Sequence, residues 1–191
     1  MKDVMKHDAQ ALLLIGIPGS GKTTIVNKVA AALSGRRIRG FVTDEIRRAS
    51  RRVGFELSTF TGHKKLLAHV DFDSSHRVGR YGVDVARLDE IAEEALALDD
   101  ATDVYLVDEI GRMECLSPKF RAAMRRLLDS GQPLVATVAF RGSGFIAEVK
   151  VRVDVELWEV TKENRDEMPD QIVRWVTGRH TRRFRRDEGT R

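Results

Sequence analysis

The chain has 191 residues, 42% of them hydrophobic and 32% charged, which suits one soluble globular domain that buries most of its unfolded surface. The apolar run from Ala11 to Ile17 is far shorter than the roughly 20 residues of a membrane span, and with Asp3 and Asp8 ahead of it it is not read as a signal peptide; a lone cysteine, Cys115, excludes an internal disulfide, and a cytoplasmic address with no membrane partner is expected. The net charge of +4 is matched by residues 179–191 alone, where six arginines face Asp187 and Glu188, so the preceding domain is balanced, the basic tail reads as a mobile end, and any nucleic-acid contact is expected only through it.

Ala11–Ile15 is a short apolar run of the kind a buried parallel strand carries. It leads into Gly16-Ile17-Pro18-Gly19-Ser20-Gly21-Lys22-Thr23, the G-x-x-x-x-G-K-T phosphate-binding pattern. Thr23 to Leu33 follows, with Ile25, Val29 and Leu33 at helical spacing. Strand, glycine loop and helix in this order suit a polyphosphate. The glycines let backbone N–H groups close on phosphate oxygens, Lys22 brings a point charge to the β- and γ-phosphates, and the Thr23 hydroxyl ligates Mg²⁺. Gly16 through Thr24 are therefore the expected nucleotide-binding residues, and a nucleoside triphosphate the expected ligand.

Further along, Arg37–Thr43 reads as a second strand ending at Asp44-Glu45, followed by Arg47, Arg48, Arg51 and Arg52. Val53–Phe60, Leu66–Val70 and Arg77–Tyr81 have strand character, which makes residues 47–82 a β-rich insertion. Asp84–Leu98 has helical spacing. Val104–Val107 is a buried-strand candidate, Ser117-Pro118 starts a helix that Gly131 ends, and Pro133–Ala139 and Val155–Val160 are further strands. A last helix is expected from about Asp170 to Val176, with Gly178 as its stop. Alternating strands and helices predict an α/β fold whose mainly parallel sheet is covered on both faces, residues 1–178 forming one domain.

A phosphate loop needs a carboxylate at a neighbouring strand tip to hold the Mg²⁺ shell, and Asp108 occupies that place. Glu109, next to it, is the expected general base that orients an attacking water, with Glu114 the alternative. Asp108-Glu109-Ile110-Gly111 also fits D-x-x-G, whose Gly111 amide can sense a γ-phosphate. Thr161-Lys162-Glu163-Asn164 is close to the T-K-x-D guanine reader but has Asn164 in place of aspartate. If Lys162 and Asn164 meet the base, discrimination among bases should be weak, because an amide both donates and accepts. The cation for transition-state charge is sought among Arg47, Arg51, Arg52, Arg112 and Arg165.

These residues together resemble the cancer-related nucleoside-triphosphatase family, the THEP-type P-loop NTPases, over most of residues 11–177. The landmarks are Gly16–Thr24, G-F-V-T-D-E-I-R (Gly40–Arg47), R-R-V-G-F (Arg51–Phe55), V-G-R-Y-G-V-D (Val78–Asp84), V-D-E-I-G-R-M-E (Val107–Glu114) and V-T-K-E-N-R-D (Val160–Asp166). The resemblance implies a three-layer P-loop sandwich related to RecA-like ATPases and nucleotide kinases. It also implies Mg²⁺-dependent hydrolysis of nucleoside 5′-triphosphates, ATP and GTP among them, with broad base preference. A monomer is expected. Two other readings compete: a kinase that holds an anionic acceptor near Arg47–Arg52, and a nucleotide-dependent binding module that works through the basic tail.

Overall fold

The structure, a computed structural model, describes residues 9–187, with side chains as far as residue 178. The chain runs β1 (Ala11–Gly16), α1 (Lys22–Ala32), β2 (Ile38–Arg48), β3 (Arg51–Thr59), β4 (Lys64–His69), β5 (Arg77–Val78), β6 (Tyr81–Val83) and α2 (Val85–Ala95). It continues through β7 (Val104–Ile110), a 3-10 turn at Glu114–Leu116, α3 (Pro118–Asp129), β8 (Leu134–Ala139), α4 (Phe145–Lys150), β9 (Val155–Glu159) and α5 (Met168–Asp187). One nine-stranded sheet holds them in the order β5-β6-β4-β3-β2-β7-β8-β1-β9. From β2 to β9 in that order every neighbouring pair is parallel. From β2 to β5 every pair is antiparallel.

Successive strand side chains point to opposite faces, and both faces of the parallel half are covered. Leu12 and Leu14 pack with Ile25 and Val29 of α1 and Ile172 of α5. Leu13 and Val107 pack with Ile91 of α2, Phe120 of α3 and Val149 of α4 on the other side. This is why β1 reads as an unbroken apolar run. At Gly40 the β2 backbone has φ 109°, and a Cβ there would lie 1.9 Å from the Leu106 carbonyl oxygen of β7. Close strand approach at that point requires glycine.

Three sequence expectations change. The second strand does not stop at Thr43. It continues to Arg48, turns at Ala49-Ser50 with φ 47° and 63°, and returns as β3. Residues expected to form an insertion therefore extend the same sheet, because the open edge of β2 supplies unpaired backbone groups that β3 satisfies. α4 has no counterpart in the sequence reading. Finally, α5 starts at Met168 and passes through Gly178 to Asp187. A glycine ends a helix by taking positive φ, and Gly178 does not. Both expected ends of α3 hold: Phe120 N donates to Ser117 Oγ at 2.8 Å ahead of Pro118, and Gly131 has φ 69° just past the helix. The arginine side chains of 179–191, on which the mobile-tail and nucleic-acid expectations rest, lie outside the described residues. Among the described residues no helix is long and apolar enough to cross a membrane.

Candidate active site

The phosphate loop joins β1 to α1. Gly19 and Gly21 take φ 79° and 106°, a region that side-chain-bearing residues enter only with strain. Gly21 is the helix N-cap and supplies no side-chain bond to the first turn. The first amides of α1 thus have no side-chain cap, and with the helix's partial positive charge they suit an anion. Ser20 Oγ is buried without a hydrogen-bond partner, which a phosphate oxygen would satisfy. Lys22 Nζ donates to the Gly16 carbonyl at 2.9 Å. Ile17, Pro18, Gly19 and Thr24 are exposed.

β7 brings Asp108 to the start of α1. Thr23 Oγ1 donates to Asp108 Oδ2 at 2.6 Å, and Thr137 Oγ1 of β8 donates to Oδ1 at 2.5 Å. Thr43 Oγ1 of β2 donates to the Asp108 main-chain oxygen at 2.5 Å. Four adjacent elements thus converge on one residue. Burial pushes the Asp108 carboxyl above its usual range, against the lowering effect of the Thr137 and Thr23 bonds. A hydroxyl and a carboxylate oxygen this close are hard donors that suit Mg²⁺, a cation that usually completes its shell with water and substrate phosphates. Among the described residues no group of three His, Cys, Asp or Glu could form an all-protein metal cage. The donor set fits a cation shared with a substrate.

Glu109 and Glu114 converge on Gly111. A Cβ on Gly111 would sit 2.8 Å from Glu109 Oε1 and 2.6 Å from Glu114 Oε2. Burial pushes Glu114 up to about 8, and repulsion from Glu109 and Asp108 adds to this, while the Glu114 and Gly111 amides act against it. Glu114 is therefore largely protonated at neutral pH. Burial also raises Glu109, with Lys22 and Lys150 opposing and Asp108 reinforcing the shift.

On the other side of β1, the loop after β9 lies over the phosphate loop. A Cβ on Gly16 would come within 2.7 Å of the Val160 carbonyl, and one on Gly21 within 3.6 Å of Arg165 Cδ. Arg165 is thus the candidate cation set against the glycine loop. Asn164 is occupied locally: Thr161 N donates to its Oδ1 at 2.9 Å, and its Nδ2 donates to the Glu159 carbonyl at 2.8 Å. Lys162 and Arg112 are exposed. Arg47 and Arg52 both pair with Glu45, and Arg51 is exposed beside them. The β2–β3 hairpin carries this cluster roughly 15 Å beyond Thr43, at about 3.3 Å per residue.

Residues 11–173 match the protein-family model described as NTPase. The chain belongs to the NTPase family. It is 36% identical over 163 residues to the nucleoside-triphosphatase THEP1 of Thermotoga maritima, covering 85% of this chain and 92% of that one. The human cancer-related nucleoside-triphosphatase is 34% identical over 184 residues, covering 88% of this chain and 97% of the relative. Among solved structures, the crystal structure of THEP1 from Aquifex aeolicus superposes with a TM-score of 0.79 at 36% identity, covering 87% of this chain and 98% of that chain. The solution structure of the human protein gives 0.76 at 33% identity, covering 89% and 98%.

These relatives are named as nucleoside-triphosphatases, and the kinase alternative is not favoured. The Arg47 and Arg52 guanidiniums that it would assign to an acceptor are paired with Glu45. Three residues that the structure brings to the candidate site escaped the sequence reading. Thr137 had a usable signal, since it is the one polar residue in L-V-A-T-V-A. Thr43 had only its place before Asp44-Glu45. Lys150 had none; α4 folds it back to the tip of β8.

Proposed function

We propose that this NTPase hydrolyses nucleoside 5′-triphosphates to diphosphate and phosphate, using Mg²⁺ and discriminating weakly among bases. The observation that carries the reading is the 2.6 Å contact between Thr23 and Asp108, which joins the phosphate loop to the strand bearing Glu109. The loop amides and Lys22 bind the triphosphate. Thr23 Oγ1 and Asp108 Oδ2 would hold Mg²⁺, which supplies charge neutralisation at the β- and γ-phosphates. Thr137 and Thr43 keep Asp108 in one orientation. The Glu109 carboxylate orients the water and accepts its proton, and its upward shift brings it closer to the range of an effective base at neutral pH. Weak base discrimination is supported by Asn164, whose amide closes its own loop.

Phosphate release from ATP, GTP, CTP and UTP with Mg²⁺ tests the reading. Wild type should turn over all four, Lys22→Ala should lose binding and turnover, and Glu109→Gln should bind triphosphate while slowing by about a hundredfold or more. A wild-type protein that binds triphosphate yet releases no phosphate would sink the proposal.

A further inference from the structure

The last residue of α4, Lys150, lies outside every motif, yet its side chain returns to the nucleotide end of the sheet. Phe145, Ile146 and Val149 anchor α4 in the core. Lys150 Nζ donates to the Ala139 carbonyl at 2.6 Å and to the Phe140 carbonyl at 3.0 Å. Ala139 is the register partner of Gly16, the first residue of the phosphate loop. β8 lies between β1 and β7, so these carbonyls stand between the phosphate loop and the Asp108-Glu109 tip. Glu109 and Lys150 act on each other electrostatically. The ammonium has three donors, and the two carbonyls take two. The third is free for a phosphoryl oxygen. Among the arginines, Arg47 and Arg52 are tied to Glu45, and Arg165 stands against Gly21 on the opposite side of β1.

We propose that Lys150 is a catalytic cation whose ammonium contacts the γ-phosphoryl oxygens and stabilises the charge they carry in the transition state. The inference rests on the hydrolase reading. As the water oxygen bonds to the γ-phosphorus, the bond from that phosphorus to the β–γ bridging oxygen breaks. The electron pair leaves with the diphosphate, and the water proton passes to Glu109. A fixed ammonium over the equatorial oxygens favours that arrangement over the ground state.

The experiment compares wild type with Lys150→Met and Lys150→Arg, with Mg²⁺ present. It measures kcat, KM, the Kd of a non-hydrolysable ATP analogue, and the Kd of ADP with aluminium fluoride, a mimic of the transferring phosphoryl group. For Lys150→Met, kcat should fall about a hundredfold or more. Affinity for the mimic should fall by a similar factor, while KM and the analogue's Kd stay close to wild type. Lys150→Arg should recover part of both losses. Unchanged affinity of Lys150→Met for the mimic would overturn the inference, as would equal weakening of analogue and mimic, which marks a structural role. If Lys150→Met fails to fold, Lys150→Arg decides: full retention of the mimic's affinity with a lost melting transition in Met alone counts as structural and overturns it, whereas partial, matched loss in kcat and mimic affinity supports it. An active wild type with an equally active Lys150→Met refutes only this assignment; a wild type without phosphate release refutes the hydrolase reading itself.

Discussion

The parallel half of the sheet and its antiparallel extension treat acidic side chains in opposite ways. At the end of β7, burial pushes Asp108, Glu109 and Glu114 all above the ordinary carboxylate range. In the extension, partial burial also raises Glu45, but bonds from Arg47 and Arg52 outweigh it and hold the carboxyl below its usual value. Arg47 approaches at 2.7 Å, and Arg52 pairs with the other carboxylate oxygen. Of the first three groups, Asp108 meets two hydroxyls, Glu114 meets two amides, and all three repel one another. The fourth sits on an exposed hairpin among guanidiniums. The same chemistry thus shifts in either direction according to whether the counter-charges outweigh the cost of burial. Glu45 is compensated by two arginines of its own hairpin, whereas in the proposed site Lys22 offsets burial only in part, and a bound Mg²⁺ would add positive charge there.

The largest predicted effect breaks the parallel half at its tightest point. Gly40→Ala would set a methyl 1.9 Å from the Leu106 carbonyl oxygen, so β2 and β7 could not pair in register. The loss should exceed about 4 kcal/mol. Circular dichroism should show no cooperative native melt; a variant melting like wild type would mean that the two strands can separate without cost.

Next in size is a pH effect confined to the buried acids. Folded Glu114 holds its proton up to about pH 8, whereas an ordinary glutamate loses it near 4.5. Between these values the folded state binds more protons than the unfolded chain, so stability falls as pH rises from about 5 to 8. The fall should reach roughly 4 kcal/mol at most. Glu114→Gln removes the titration, and its melting temperature should stay flatter across this window. A wild-type profile that rises over the same window would contradict the sign.

Thr137→Val keeps the shape but deletes the donor to Asp108 Oδ1. It should cost about 1–3 kcal/mol in urea denaturation, and phosphate release should slow as Asp108 loses a restraint. Thr137→Ser should recover both. The smallest effect tests the extension, where Ser50 holds φ 63° in the hairpin turn. Ser50→Gly relieves a conformation that side chains resist and should add about 0.5–1 kcal/mol, with phosphate release unchanged. Lost turnover in this variant would tie the hairpin to the chemistry and erase the contrast between the two halves.

By itself the sequence determined whatever is written in consecutive residues. The strand–loop–helix order around Gly16–Thr23 is a local pattern and survives intact in the structure, and Asp108 lies on the expected strand, although that strand runs on to Ile110. The Ser117-Pro118 helix start and the three-layer α/β plan were legible for the same reason. Tertiary structure decided what depends on neighbours distant in the chain. Whether β2 stopped at Thr43 or ran to Arg48 depended on β3 pairing with it, not on any residue in between. The length of α5 likewise turned on Gly178 keeping a helical φ, against its usual role as a terminator. The convergence of Thr23, Thr43 and Thr137 on Asp108, and of Lys150 on the tip of β8, has no local signature. Hydroxyls and ammoniums far apart in sequence become partners only when parallel strands align their ends and burial leaves each polar group in need of another.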